Sequence, residues 1–384
     1  MRIAQVTEFY APITGGIGEH VRHLSRELRR LGHDVRVVTG QAAPAAGAPI
    51  DAELERHTQR FGSPVRFAYN GGLASVTFGR RLPQQLDAFL EREGFDIVHT
   101  HNPMMPILPL LALDRSRAVN VGTFHSFHQR DAMIRMWRWV LQSRMRRLDL
   151  AIAVSAAAQR AYRMYFDTEF EIVPNGIDLQ AYAPNGRHPL PNGQQTLLFV
   201  GQMVPKKGLP TLLDAFEMLL DDLPQLRLRV VGDGPMAGAY RQRLGRRARA
   251  QVEFVGSRHG AALADEYRAC DVFCAPSIGH ESFGITLLEA MAAGKPIVAA
   301  DIDGYREVVR DGREAILHAR ADPRDLRDAV KRVVLDGGLR ADLVQHGRRR
   351  VQDYAWSTVA RRVEVLYERL LGAGPGPRRQ ARTR

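Results

Sequence analysis

The sequence predicts an α/β protein of two doubly wound domains, each a mainly parallel sheet flanked by helices. Three observations carry that expectation. Short apolar runs alternate with helical patterns from residue 2 onward, and an order of strand, glycine loop, helix and strand is that of a βαβ unit. The alternation fails over residues 183–194, where the stretch PNGRHPLPNG suits neither element, and restarts at residue 196. The length of 384 residues, with 45% apolar and 25% charged side chains, gives two such domains cores of ordinary size. The boundaries read from the pattern are 1–183 and 195–355, followed by a terminal helix over 356–371 and a disordered basic tail over 372–384.

In the first domain, residues 2–6 form the opening strand, and a loop ending in Gly15, Gly16 and Gly18 leads to a helix over 19–31. Paired glycines at the carboxyl end of a first strand let a phosphate or sugar approach the backbone closely. Their spacing is not that of a dinucleotide site, and a tight turn explains them nearly as well. Residues 32–39 give the next turn and strand. Later strands over 95–102, 118–125, 150–155 and 170–174 follow, and His99, His101 and His125 fall where two of them end. Open parallel sheets hold ligands beyond the carboxyl ends of their strands. Neither a nearby carboxylate nor a helical spacing completes a metal set, so these histidines read as hydrogen-bonding polar groups and no metal is expected.

The second domain opens with a strand over 196–201, then Gln202 and the pair Lys206 and Lys207 precede a helix over 209–220. Cations on a loop at a strand's carboxyl end suit a pyrophosphate; a solvated lysine pair is the plain alternative. Strands over 228–232 and 252–257 follow. The centre of the domain is the stretch 276–296, PSIGHESFGITLLEAMAAGKP. A strand over 271–275 enters it, a glycine-bearing turn follows, and a helix over 285–293 is closed by Gly294 and Pro296. Backbone N–H groups of Phe283, Gly284 and Ile285 at that helix start can hold an anion without a metal. Glu281 falls in the turn and Glu289 in the second helical turn. Carboxylates beside a phosphate site repel phosphate, so they suit hydroxyls: a sugar ring for Glu281 and a ribose for Glu289. Cys270 and Cys274, the only cysteines, fall on a predicted buried strand and read as inert core thiols, in keeping with a reducing cytoplasm.

The segment 281–294, ESFGITLLEAMAAG, resembles the E-x7-E signature of the retaining glycosyltransferases of family 4, and the likeness runs along nearly the whole chain. The pattern is similar to that of the bacterial phosphatidylinositol mannosyltransferases in that family, through Tyr69, Asn70 and Gly71 and through Thr123, Phe124 and His125. The resemblance implies the GT-B fold: two Rossmann-like domains facing each other across a cleft, with the terminal helix crossing back to the first. It implies that Gly16, Gln202, Lys206, Lys207 and Asp233 hold the donor, together with Glu281, Phe283, Gly284, Ile285 and Glu289. Tyr69, Asn70 and His125 would lie on the acceptor side. Glu281, His125 and Lys207 would be the catalytic group, with no cofactor. The family's same-face attack lets the leaving diphosphate accept the acceptor's proton. An arginine is usual where this chain has Gln202, so a neutral amide replaces one phosphate clamp. Asp301 and Asp303 imitate a metal-binding D-x-D, yet their place inside the signature of a metal-independent fold makes them a loop near the sugar.

Net charge is +12, which attracts nucleic acid, anionic lipid or polyanionic substrates without choosing among them. The stretch 129–147 interleaves Met133, Ile134, Met136, Trp137, Trp139 and Leu141 with six arginines. It suits either a membrane interface or an internal helix with solvated arginines. No apolar run is long enough to span a bilayer, so the expected setting is cytoplasmic, with peripheral contact at the inner face of the cell membrane as a further option. The expected partners are a nucleotide sugar, GDP-mannose or a UDP-hexose, and a lipid or glycan acceptor. Two departures weigh against an inositol lipid. Gly18 stands where the inositol-lipid enzymes carry glutamine, and their basic membrane helix becomes LPQQLDA at 82–88. The alternative is a sugar-nucleotide epimerase of the same architecture, which would lack this glutamate signature. A nucleic-acid binder would rest on charge alone, without a recognisable module.

Overall fold

In a computed structural model of the protein, the residues described are 1–11, 15–41, 52–69, 72–104, 107–125, 132–184, 194–279 and 281–373. Asn70, Gly71, residues 126–131 and the tail beyond 373 lie outside them. The chain divides into two compact units, Met1–Gly176 with Trp356–Arg384, and Ile177–Ala355.

The first unit carries β1 (Arg2–Val6), β2 (Asp34–Gly40), β3 (Thr58–Phe61), β4 (Ser63–Tyr69), β5 (Gly72–Phe78), β6 (Ile97–His101), β7 (Val119–Phe124), β8 (Leu150–Ala153) and β9 (Phe170–Ile172). Seven of these form a parallel sheet in the order β3-β2-β1-β6-β7-β8-β9. Strands buried on both faces of such a sheet read as apolar runs, which is why they were legible as strands. The order reverses between β1 and β6, so the connections leaving these two strands go opposite ways and open a crevice at their carboxyl ends. The hairpin of β4 and β5, which the sequence pattern does not announce, pairs Tyr69 with Gly72 at its turn. Glu8, 4% exposed at the end of β1, ties this hairpin down. Its carboxylate accepts from the Thr77 amide at 3.2 Å, from the Thr77 hydroxyl, and from the Leu108 amide at 2.9 Å. The helix Trp356–Gly372 belongs to this unit, as expected of a crossing-back terminal helix. It sets Trp356, Val359, Val363 and Tyr367 against Ile3, Leu24, Leu28, Ile97 and Val121.

The second unit carries β10 (Thr196–Val200), β11 (Arg227–Val231), β12 (Val252–Gly256), β13 (Val272–Ala275), β14 (Ile297–Ala300) and β15 (Ile316–His318). They form a parallel sheet in the order β12-β11-β10-β13-β14-β15, with its reversal between β10 and β13. The helices Leu209–Asp222 and Pro323–Leu335 cover one face through Leu212, Phe216, Leu219, Val330 and Val333. The helix Ile285–Ala292 covers the other through Leu287, Leu288 and Met291 against Phe273 and Ile297. Cys274 is on β13, but Cys270 ends the helix Gly260–Ala269 instead of lying on the strand. Both are buried, and burial raises their thiols, Cys270 to about 12.

The loops after β10 and β13 touch through backbone. Gly208, with φ of +68°, ends the 3-10 turn Pro205–Lys207, and a Cβ there would lie 1.9 Å from the Pro276 carbonyl oxygen. Gly208→Ala is therefore expected to remove about 2–4 kcal/mol of stability, the sum of a left-handed backbone and a backbone clash. The measurement is the denaturant midpoint at unchanged m; an unshifted midpoint contradicts the close approach.

Candidate functional site

The switch point of the second sheet gathers most of the residues expected at a donor site. Gly201 follows β10, and Gln202 and Lys206 come next with exposed side chains that have no partner among the described residues. Lys207 turns inward, and its Nζ lies 2.6 Å from Glu281 Oε1. The Ser277 hydroxyl donates to the same carboxylate oxygen at 3.2 Å, and the Tyr305 hydroxyl donates to Ser277 at 2.8 Å. The turn is clamped by the Ile278 amide, which donates to the Lys206 carbonyl at 2.9 Å. Gly304 passes so near that a Cβ would meet the Glu281 carbonyl oxygen at 2.2 Å. Glu281 thus has a fixed position set by two neighbouring loops, with its side chain 14% exposed.

Gly284, at φ of +98°, turns the chain into the helix Ile285–Ala292. The amides of Phe283, Gly284 and Ile285 have no backbone acceptor among the described residues, as is usual for the first amides of a helix. Phe283 itself is buried against Tyr354. Glu289 is more engaged than its sequence position suggests: it accepts from the Tyr182 hydroxyl at 2.8 Å and the Tyr267 hydroxyl at 2.6 Å. Asp233 caps its own turn by accepting from the Gly234 amide at 2.8 Å. Asp301 is gripped by the Arg306 guanidinium, which holds its carboxyl below the usual range, and Asp303 begins the short helix Asp303–Arg306. The two aspartates are not paired around a cation site. Ser277 and Tyr305 were missed, although Ser277 lies inside the stretch 276–296; Tyr182 and Tyr267 carry no sequence signal.

In the first unit, Gly16 begins the helix Gly16–Arg30. Its φ is not in the left-handed region, and a Cβ there would meet nothing within 4 Å among the described residues. Among the described residues, neither backbone conformation nor packing requires glycine at this position. Tyr69 ends β4. His125 follows β7, its amide donating to the Asn102 side chain at 2.9 Å. Its ring joins those of His20, His99 and His101; His20, from the opening helix, was not singled out in the sequence. His101 and His125 are hydrogen-bonded through Nδ1 and Nε2 at 3.0 Å, and His20 Nδ1 meets Asn175 Oδ1 at 2.9 Å. One ring nitrogen from each of His20, His101 and His125 lies within 4.8 Å of the others, the separation a shared cation would need. Both ring nitrogens of His101 are engaged, by His125 and by Gln5, so a cation bound through His101 would displace one of these hydrogen bonds.

Two such α/β units, with a lysine-held carboxylate at a switch point beside amides unpaired among the described residues, define a glycosyltransferase of the GT-B fold. Solved structures agree on the fold. A glycosyltransferase from Rickettsia africae matches with a TM-score of 0.76 at 17% identity, covering 96% of this chain and 98% of its own. The Anabaena protein HepE, solved in complex with UDP and glucose, matches with a TM-score of 0.72 at 21% identity, covering 95% and 99%. The family described as "Glycosyltransferase Family 4" matches residues 14–181, and "Glycosyl transferases group 1" matches 185–350. The phosphatidyl-myo-inositol mannosyltransferase of Mycobacterium tuberculosis is 34% identical over 381 residues, 97% of this chain and 98% of that one. The chain belongs to glycosyltransferase family 4. The epimerase alternative finds no support among these relatives.

Burial holds four imidazoles of the first unit neutral: His20 is lowered to about 4 and His99 to about 3, and His101 and His125 also lie well below the usual value. In the unfolded chain they titrate near 6.5. Between about pH 6.5 and about pH 4 the unfolded state binds protons that the native state refuses, so stability is full above this window and falls as pH drops through it. Each such histidine contributes a slope of about 1.4 kcal/mol per pH unit. Urea unfolding of the first unit from pH 8 to pH 5 is expected to show a steep loss below pH 6.5; a flat profile there would contradict neutral native rings.

Proposed function

We propose that the chain moves a hexose, mannose or glucose, from a nucleotide diphosphate to a hydroxyl of a lipid or glycan, with retention at the anomeric carbon. The supporting observation is the 2.6 Å pair of Lys207 and Glu281 beside a helix start whose first amides are unpaired among the described residues. The bond from C1 to the diphosphate oxygen breaks as the acceptor oxygen bonds to C1 on the same face, and the acceptor's proton passes to the departing diphosphate. Lys207, with Lys206 near it, meets the charge growing on that diphosphate, and the amides of Phe283, Gly284 and Ile285 add fixed dipoles. Glu281 accepts from sugar hydroxyls and offsets positive charge at C1. Glu289 serves the ribose alongside its tyrosines, Gln202 and Asp233 flank the nucleotide, and Gly16 leaves room for the ligand to approach. His125 hydrogen-bonds a substrate hydroxyl, with Tyr69 and Asn70 on the acceptor side.

The proposed acceptor is a lipid met at the inner face of the membrane. Among the described residues no helix is long and apolar enough to cross a bilayer. The described part of the stretch 129–147, residues 132–147, contains two helices, Ala132–Met136 and Arg138–Met145, with Ile134, Leu141 and Met145 buried. The other side presents Met136 at 70%, Trp137 at 53% and Trp139 at 80% exposure, among the exposed Arg135 and Arg138. Arg144 and Arg147 instead pair with Asp114. Exposed indoles beside guanidinium groups suit an anionic interface. The helix Leu82–Glu93 exposes Gln84, Gln85 and Ala88 and offers no such face.

Calorimetry with GDP-mannose, UDP-glucose and UDP-N-acetylglucosamine is expected to find one tight donor, with GDP-mannose first in line. Lys207→Ala is expected to lower kcat about 100-fold or more, as removal of one preorganised charge at a leaving group does. Binding of none of the three donors, or an unimpaired Lys207→Ala enzyme, removes the reading. On vesicles containing anionic lipid, Trp137→Ala with Trp139→Ala is expected to weaken sedimentation about tenfold; wild-type protein that ignores such vesicles excludes the membrane contact.

A further inference from the structure

An unbroken run of hydrogen bonds joins the C-terminal helix to His125. The Tyr367 hydroxyl lies 2.6 Å from His99 Nδ1 and 3.2 Å from Gln5 Nε2. Gln5 Oε1 lies 2.7 Å from His101 Nε2, and His101 Nδ1 lies 3.0 Å from His125 Nε2. His99 Nε2 closes the other arm on the Thr123 hydroxyl at 2.6 Å. Gln5, His99, His101 and Tyr367 are wholly buried, so no water competes for these groups.

The lengths assign the protons. A hydroxyl has one proton, and an O–H donor makes shorter bonds than an N–H donor. Tyr367 therefore donates to His99 at the short contact and accepts from the Gln5 amide at the long one. This orientation aims Gln5 Oε1 at His101, which must donate from Nε2, and 2.7 Å is ordinary for an N–H meeting a carbonyl oxygen. A neutral imidazole carries one proton, so His101 accepts at Nδ1 and His125 donates from Nε2. His125 Nδ1 is left as an acceptor, with no partner among the described residues. A reversed Gln5 amide would place a proton on His125 Nδ1 and would demand an amide N–H against a ring nitrogen at 2.7 Å, short for that pair.

We propose that Tyr367, Gln5 and His101 are positioning residues that fix His125 with Nδ1 unprotonated, ready to accept a hydrogen bond from a substrate hydroxyl at the carboxyl edge of the first sheet. The proposal rests on the reading of His125 as a substrate contact. It adds to that reading the reason why the ring presents an acceptor: a hydroxyl on a helix more than two hundred residues later in the chain selects the tautomer. A hydroxyl whose proton is accepted this way keeps its oxygen lone pairs directed elsewhere, which discriminates hydroxyls from ether oxygens at that position.

The test uses the full chain labelled with ¹⁵N-histidine, its ring signals recorded in long-range proton–nitrogen spectra and assigned to His125 by loss in His125→Gln. Wild type is expected to show His125 protonated on Nε2. Tyr367→Phe and, as a second variant of similar volume, Gln5→Met are each expected to shift His125 toward a mixture of tautomers. Each is expected to lower kcat about tenfold while the donor KM stays within about twofold. Wild-type protonation on Nδ1, or a folded Tyr367→Phe or Gln5→Met protein with unchanged His125 ring signals, overturns the proposal. A fully active His125→Ala enzyme overturns the functional role while leaving the nitrogen pattern of His101 in place, so the two failures are told apart.

Discussion

The charge balance between Lys207 and Glu281 is the constraint on which the second unit's chemistry depends. A carboxylate beside a helix start would ordinarily spoil an anion site, since it repels the phosphate that the amides attract. With an ammonium at 2.6 Å the carboxylate becomes tolerable, and the pair together presents a polar rather than an anionic face. The surrounding backbone exists to hold this distance. Gly208 against Pro276 and Gly304 against Glu281 are contacts that any side chain would forbid, and the Ile278 amide links one loop to the other. On the proposed reading, a ligand phosphate here would share the lysine with the glutamate.

The first unit solves a different electrostatic problem. Its strand-end groups are imidazoles kept neutral by burial, stacked His99 on His101 and His101 on His125 at ring separations of 4.5 and 5.3 Å. Neutral stacking of this kind provides directed donors and acceptors without net charge, which suits recognition of hydroxyls. Where the second unit presents ammonium and amide groups, the first offers hydrogen-bond direction. The single buried carboxylate at the end of β1, Glu8, is spent on structure, holding the hairpin of β4 and β5 through Thr77; burial raises its pKa.

Much of this was legible in the sequence because parallel strands and glycine-closed helices leave strong local marks. The strand and helix around Glu281 were read to within a residue or two, as was the terminal helix. What escaped were contacts between distant segments. Nothing local in Tyr182 or Tyr267 says that both hydroxyls will meet Glu289, and Gln5 in an apolar strand looks like an interruption until His101 and Tyr367 are placed beside it. His20 was hidden by a helical pattern in which its neighbours explain the amphipathicity. The break at Trp137 was missed because helical periodicity continues through it. Gly16 is the reverse case: the sequence allowed a turn, and only the structure shows open space around its missing Cβ among the described residues.

The place of the helix Trp356–Gly372 has a consequence for how the protein is made. Its apolar face completes the core around Ile3, Leu24, Ile97 and Val121, yet it is separated from the rest of its unit by all of Ile177–Ala355. At a synthesis rate of about 5–20 residues per second, a nascent first unit waits about 10–40 s with that surface bare. The second unit, contiguous in sequence, can close as soon as it emerges. Order of completion is therefore the reverse of order of appearance, and the earliest strands made are the last to be sealed.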